Sequence, residues 1–399
     1  MVYLFYPQYE VVILLKIIGF FFFNPVFLVA ICVIAISGYR RIQQERRQFS
    51  IAIDSHFLEA RSFFKDGLFV GLIASVVSLL LGIVVDNNWL VWYVLITLLG
   101  LVCFTAFWDN GILWLLVAGL AWFKPNLVLP GFFNDTIIAP VQGAVIPSAL
   151  AIAALGLGAC ARLFQKMPQL ELSPKIKNAV RGGREAYYAV QRLYLMPLIL
   201  LVPGDAFPML KGWWPFFNLG NQRFTILVLP LILGLNLKLN RRLPAELTQL
   251  QRPFMLASVI MLGLAFLGLR GQLPGLSLIL GAVLVILLRG YVARFLAKGT
   301  SHLLQPKAGI QVLAVQKGTP AQKAGLTAGD VVLSANGQPV NSQAQFYEVI
   351  QASATFVSLR VKTLHQDIKL AETAIYKDSP HELGIITFPD SEQTHQRRI

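Results

Sequence analysis

Up to residue 293 the chain is a succession of long apolar runs separated by short polar breaks, and that succession limits what it can fold into. A hydrocarbon core about 30 Å thick takes roughly 20 apolar residues in helical form. Runs of that order lie at 11–37, 67–85, 89–107, 111–123, 137–161, 193–209, 224–239, 253–269 and 274–293. They predict an α-helical polytopic membrane region of about 7–9 spans, the range being set by three irregular runs. The first is too long for one simple span and is interrupted by Asn24 and Pro25, where a helix loses a backbone hydrogen bond and bends. The fourth is short, and the sixth carries Pro197, Pro203, Asp205 and Pro208, so either fits a re-entrant segment as well as a crossing.

If each run crosses once, the breaks fall into two alternating sets, and Lys and Arg in short loops stay on the cytoplasmic side. One set holds 20 basic residues, among them Arg40, Arg41, Arg46, Arg47, Lys166, Lys175, Arg184, Arg241 and Lys298; the other holds 4, Lys124, Lys211, Arg223 and Arg270. That asymmetry places everything after residue 289 in the cytoplasm. The basic loops set topology in the first place and also attract anionic membrane lipids. The stretch Leu170 to Tyr194 is long enough to form a surface element of its own, with Ser173 capping Pro174 and a hinge at Gly182 and Gly183.

Composition agrees with a boundary near residue 300. Residues 1–299 hold 25 Lys and Arg against 12 Asp and Glu, whereas 300–399 hold 9 against 8. Three units follow: a multi-span region 1–299, a compact domain 300–377 and a polar tail 378–399. Cys32, Cys103 and Cys160 sit inside apolar runs without the spacing of a disulfide framework or a metal site, and no cleavable signal peptide is evident.

Catalytic chemistry finds no foothold. The five histidines, at 56, 302, 365, 381 and 395, lie outside the spans and none begins the HExxH pattern of a membrane metalloprotease. Gly204 and Asp205 come nearest to an aspartyl intramembrane site, but Val202 stands where that pattern needs Gly, and the chemistry needs two carboxylates. The expectation is a protein that is not an enzyme, with no metal, cofactor or nucleic acid.

From residue 305 the pattern changes to that of a soluble domain. Ile310, Val312 and Ala314 alternate as a strand, Val331 to Ala335 form another, and Asn336–Gly337 make a turn before Gln338 to Val340. Asn341 is placed to cap a helix from Ser342 to about Ala352, and Phe356 to Lys362 return to strand. The run GTPAQKAGLTAGDVVLSANGQPV resembles a PDZ domain of the bacterial type. That resemblance implies a small mixed α/β domain that docks a peptide by adding it as a strand, with a terminal carboxylate held on backbone N–H groups of a turn. Matched onto this sequence, the turn is Ala308, Gly309 and Ile310. The groove is lined by Ile310 and Val312 on the strand and by Gln343, Phe346, Tyr347 and Ile350 on the helix. Docking of an internal peptide stays open, because Ala308 stands where Leu or an aromatic is usual.

The whole layout, with FFFNPVFL near the start and GYRRIQQERRQF after the first span, resembles the MinJ-like division-site determinants of Gram-positive bacteria. The resemblance implies a membrane scaffold at septa and cell poles that bridges the coiled-coil protein DivIVA to MinD and the MinCD division inhibitor, with homo-oligomers allowed. A component of peptide secretion or regulated intramembrane proteolysis is the alternative.

Overall fold

The structure, a computed structural model, describes residues 18–49, 53, 57–102, 110–123, 145–169, 172–178, 183–207, 224–269, 274–299, 303–353, 355–364, 366–374 and 383–390. The expected break in the first run is present. Pro25 opens helix α1 (Pro25–Phe49), where its missing N–H leaves nothing unsatisfied, and the buried Asn24 side chain accepts the Val26 N–H at 3.0 Å. Then come α2 (Leu58–Leu81), closed by Gly82 in the left-handed region, α3 (Asn87–Val102), α4 (Asn110–Phe123) and α5 (Val145–Lys166). After a long insertion follow α6 (Gln251–Leu269), led in by a 3₁₀ segment Pro244–Leu250, and α7 (Pro274–Ala297).

Among the described residues, five helical segments are long and apolar enough to cross a membrane: Pro25–Phe49, Leu58–Leu81, Val145–Lys166, Pro244–Leu269 and Pro274–Ala297. Helices α3 and α4 are apolar but shorter. Helix α5 is the hub, with 78% of its apolar window buried against 22–33% in the other four. Small residues let its neighbours close in: a Cβ on Gly156 would lie 1.8 Å from the Trp114 ring of α4.

Two of the expected spans are not helices. Runs 193–209 and 224–239 fall in strands β2 (Arg184–Phe207) and β3 (Phe224–Leu239), which pair antiparallel as one long hairpin. The short strand β1 (Pro174–Asn178) pairs with the start of β2, so Ser173 precedes a strand rather than a helix. Hydropathy records only that a segment is buried, and an unbroken apolar strand and an apolar helix look alike to it. Pro197, one of the residues that suggested a re-entrant segment, faces Pro230 in the ladder. There each removes an N–H from a strand that has few outside partners.

A sheet edge cannot be left open at the depth of apolar helices, because each unpaired backbone group costs several kcal/mol there. Helix α2 closes the edge of β2. Gly67 and Gly71 bring the two backbones together, since a Cβ on Gly67 would stand 2.4 Å from the Leu195 carbonyl and one on Gly71 2.3 Å from Pro197 Cδ. Past that contact the Ser75 hydroxyl donates to the Pro197 carbonyl at 2.7 Å and accepts the Ile199 N–H at 3.1 Å. Ser78 donates to the Ile199 carbonyl at 2.6 Å. The segment after α2 continues the line, with Leu201 N–H donating to Ile83 and Val85 N–H donating to Leu201, both at 2.9 Å. On the far strand the Tyr93 hydroxyl donates to the Pro230 carbonyl at 2.8 Å.

The hairpin leaves and returns on the same side of the bundle, so it preserves the alternation of loops that two crossings would have given. Its base gathers with the basic ends of the helices, where Lys166 pairs with Asp66 at 3.0 Å and Arg41 with Glu45 and Glu59 at 2.6 Å each.

The carboxy-terminal domain contains β4 (Ile310–Gln311), β5 (Ala314–Val315), α8 (Pro320–Lys323), β6 (Val331–Ala335), β7 (Gln338–Pro339), α9 (Gln343–Gln351), β8 (Phe356–Lys362), β9 (Ile368–Ala374) and β10 (Ile385–Ile386). One sheet runs β4-β6-β8-β9 with β7 on β6; the other pairs β5 with β10. The hairpin turn at Asn336 and Gly337 has the two positive φ angles, 48° and 80°, that such a turn requires. Ser342, not Asn341, caps α9 by accepting the Gln345 N–H at 3.1 Å. Beyond the boundary expected at 377, Leu383 and Ile385 are buried in this domain's core.

Candidate functional site

Peptide docking by strand addition needs an edge whose backbone groups are free, beside a helix that can grip side chains. The strand expected for that role, β4, is the outer strand of its sheet, with β6 as its neighbour there. Ile310 pairs with Val332 of β6, Val312 N–H donates to Asp330, and Leu313 N–H donates to Ile386 on the opposite side. The expected turn is engaged as well: Gly309 N–H donates to the Asn341 side chain at 2.9 Å, and a Cβ there would stand 2.7 Å from the Val332 carbonyl. Gly309, Ile310 and Val312 are thus buried where the chain enters β4 and passes on towards β5, whereas Ala308 is exposed.

A second edge is offered by β10 (Ile385–Ile386), which follows the turn at Leu383 and Gly384 and runs on into Thr387 and Phe388. Ile385 and Ile386 pair with Val315 and Ala314, and the carbonyls of Gly384 and Ile386 accept from Gln316 and Leu313. Backbone groups alternate in direction along a strand, so those of Ile385 and Thr387 point the other way. The strand ends against α9, where the Asp390 carboxylate accepts the N–H groups of Gln343 at 3.2 Å and Ala344 at 3.0 Å. Ahead of it, Leu383 and Gly384 both take positive φ, 54° and 83°. This places successive N–H groups in a tight turn of the kind that cradles an anion. Among the described residues neither of those two N–H groups has an acceptor.

The four helix residues expected to line the groove all lie on α9. Gln343 and Tyr347 are half-buried on α9, while Phe346 and Ile350 are buried in the domain core with Leu383 and Ile385. Thr387 is buried, and its hydroxyl has no partner among the described residues. No three His, Cys, Asp or Glu side chains stand together as a metal site would need, again among the described residues.

The other face of the same strand is docked on the helical region. Ile386 and Phe388, with Leu313 and Ala314 of the neighbouring strand, join the core cluster that holds Leu172, Ala186 and Tyr188. The Tyr188 hydroxyl donates to the Leu313 carbonyl, and burial pushes that phenol above its usual range, which keeps it a donor. Arg184 donates to the Pro389 carbonyl, and its guanidinium stands 5.9 Å from the centre of the Phe388 ring. Ala186 N–H donates to Leu303, and Gln305 N–H donates to Arg184, extending the hairpin base into the linker.

One signal in the sequence marks this strand: Leu-Gly-Ile-Ile-Thr-Phe at 383–388 is an apolar island in an otherwise polar tail. The island follows the recognisable pattern at a distance, and pairing with a strand 70 positions earlier leaves no local trace.

Comparison with known proteins agrees with this architecture. A family model for the PDZ domain matches residues 311–362, which stops short of the 383–388 strand. The crystal structure of the PDZ domain of an SdrC-like protein from Listeria monocytogenes is 24% identical, with a TM-score of 0.19, covering 23% of this chain and 95% of that one. Fold and groove thus define a protein of several long apolar helices carrying a carboxy-terminal PDZ domain.

Across almost the whole chain the similarity is to one kind of such protein. The cell division topological determinant MinJ of Bacillus subtilis is 28% identical over 391 residues, 95% of this chain and 96% of that one. The probable cell division topological determinant MinJ of Lacticaseibacillus paracasei is 29% identical over 375 residues, 92% and 97% of the two chains. The chain is MinJ-like.

Proposed function

We propose that this chain is a membrane-anchored scaffold for division-site placement, without catalytic activity of its own. In this role the PDZ groove between the 383–388 strand and α9 docks a segment of a partner protein. The observation that carries it is similarity to the two division determinants over 95% and 92% of the chain, helical region included, rather than over the PDZ domain alone. The partners are those of the division-site machinery: DivIVA at poles and septa on one side, MinD and through it the MinCD inhibitor on the other. The PDZ domain faces the cytoplasm, on the side of the 20 basic residues.

A fluorescent fusion to the full-length protein tests the role. Enrichment at septa and poles that disappears in cells lacking DivIVA is expected. Uniform membrane staining, with normal division after deletion, would refute the scaffold and favour the secretion or proteolysis alternative. The groove is tested separately with Tyr347→Glu, which puts a charge on the half-buried helix wall without entering the core. Partner capture by the full-length variant should fall while its thermal midpoint stays. Unchanged capture would move docking to another surface.

A further inference from the structure

At the cationic end of the bundle a cavity of about 290 Å³ opens between the last turns of α1, the start of α2 and the base of the hairpin. Ser37, Arg41, Gln44, Glu45 and Gln48 recur along α1 at helical spacing and form one wall over roughly 16 Å of helix. Four cationic side chains line it, Arg40, Arg41, Lys175 and Arg192, against two carboxylates, Glu45 and Glu59.

Both carboxylates are directed at one cation. Glu45 and Glu59 each lie 2.6 Å from the Arg41 guanidinium, and Glu45 also accepts the Ile53 N–H at 2.8 Å. Arg192 is buried and donates to the Ser62 hydroxyl at 3.1 Å. Lys175 has no hydrogen-bond or ion-pair partner among the described residues; burial, and then the neighbouring Lys238, lower its pKa, as happens to an ammonium held near like charge. The cavity therefore presents the Lys175 ammonium without an anion to meet it among the described residues.

A phosphate diester would supply that anion. Its source is indicated by position, since the cavity begins where the apolar stretch of α1 gives way to Arg40 and Arg41, beside the exposed apolar side chains of Ile36 and Tyr39. A bilayer headgroup lies at that level, and its acyl chains would run along the apolar helix surface. We propose that this cavity holds the headgroup of an anionic glycerophospholipid, with Lys175 and Arg40 on the phosphate.

The test uses full-length protein purified in mild detergent, with retained lipid counted by native mass spectrometry and thermal midpoints read with added phosphatidylglycerol, phosphatidylcholine or glycerol 1-phosphate. Wild type should retain a phosphatidylglycerol molecule and be raised in midpoint by that lipid above phosphatidylcholine. Lys175→Ala and, on the exposed side of the cavity, Arg40→Gln should each cut retention about fivefold. Arg241→Ala, a basic change at the same end but outside the cavity, should leave it unchanged. Equal retention in wild type, Lys175→Ala and Arg40→Gln would overturn the site. An equal rise with glycerol 1-phosphate and no retained lipid would overturn the lipid source, leaving a soluble phosphate ester as the ligand.

Discussion

Replacing Ser75 by Ala isolates the way the apolar hairpin is held beside α2. The side chain is 3% exposed and serves two backbone groups of β2, the Pro197 carbonyl and the Ile199 N–H. Removing the hydroxyl orphans both at a level where no water can replace it, and a buried group left unpaired costs about 1–3 kcal/mol. Side-chain hydrogen bonds between membrane helices average nearer 0.6 kcal/mol, because the separated helices find other partners. A strand N–H directed at a helix has fewer alternatives, so we expect a loss of about 2 kcal/mol, roughly 30-fold in the unfolding constant. Ser78→Ala orphans only the Ile199 carbonyl and should cost about half as much, since a carbonyl tolerates under-satisfaction better than an N–H. Unfolding of the full-length protein by denaturing detergent, with amide exchange at Ile199, measures both. If Ser75→Ala leaves the midpoint and the Ile199 protection unchanged, α2 does not close the strand edge and the account of the hairpin is wrong.

Three further outcomes follow from close contacts. Gly71→Leu should prevent assembly of the helical region, because its Cβ would overlap Pro197, whereas Gly263→Leu, with nothing within 4 Å, should be tolerated; detergent-resistant yield separates them. Gly384→Ala forces a residue with a side chain into φ 83° and sets its Cβ 2.4 Å from Thr319 Cγ2. We expect a loss of about 2 kcal/mol in PDZ stability, with partner capture failing at temperatures where Tyr347→Glu still folds, read by calorimetry and pull-down. Tyr188→Phe leaves the Leu313 carbonyl unpaired and should speed amide exchange at Leu313 without altering the PDZ core at Val357 and Leu359.

What could be read from the sequence was local. The break at Asn24 and Pro25 follows from proline geometry, and the order of strands and helix from Val331 to Lys362 follows from alternation, turn chemistry and one compact motif. The hairpin was illegible because its determinants are distant: Ser75 and Pro197 are 122 positions apart, and neither apolar run shows on its own that its backbone bonds go to another strand. The same holds for β10. Helix α9 was legible from its spacing, but β10 pairs with a strand 70 positions earlier and lies beyond where the familiar pattern ends.

The two-faced strand at 385–388 also fixes how the molecule would carry force. A partner segment lying along that strand loads it lengthwise, so its backbone bonds to Gln316 and Leu313 are strained together rather than one after another. From there the load passes through Tyr188 and Arg184 into β2, which is paired to β3 over most of its length and clamped by α2. Tension on a docked protein would thus be delivered to the helices through a continuous hydrogen-bonded ribbon, bypassing the linker at residues 298–305.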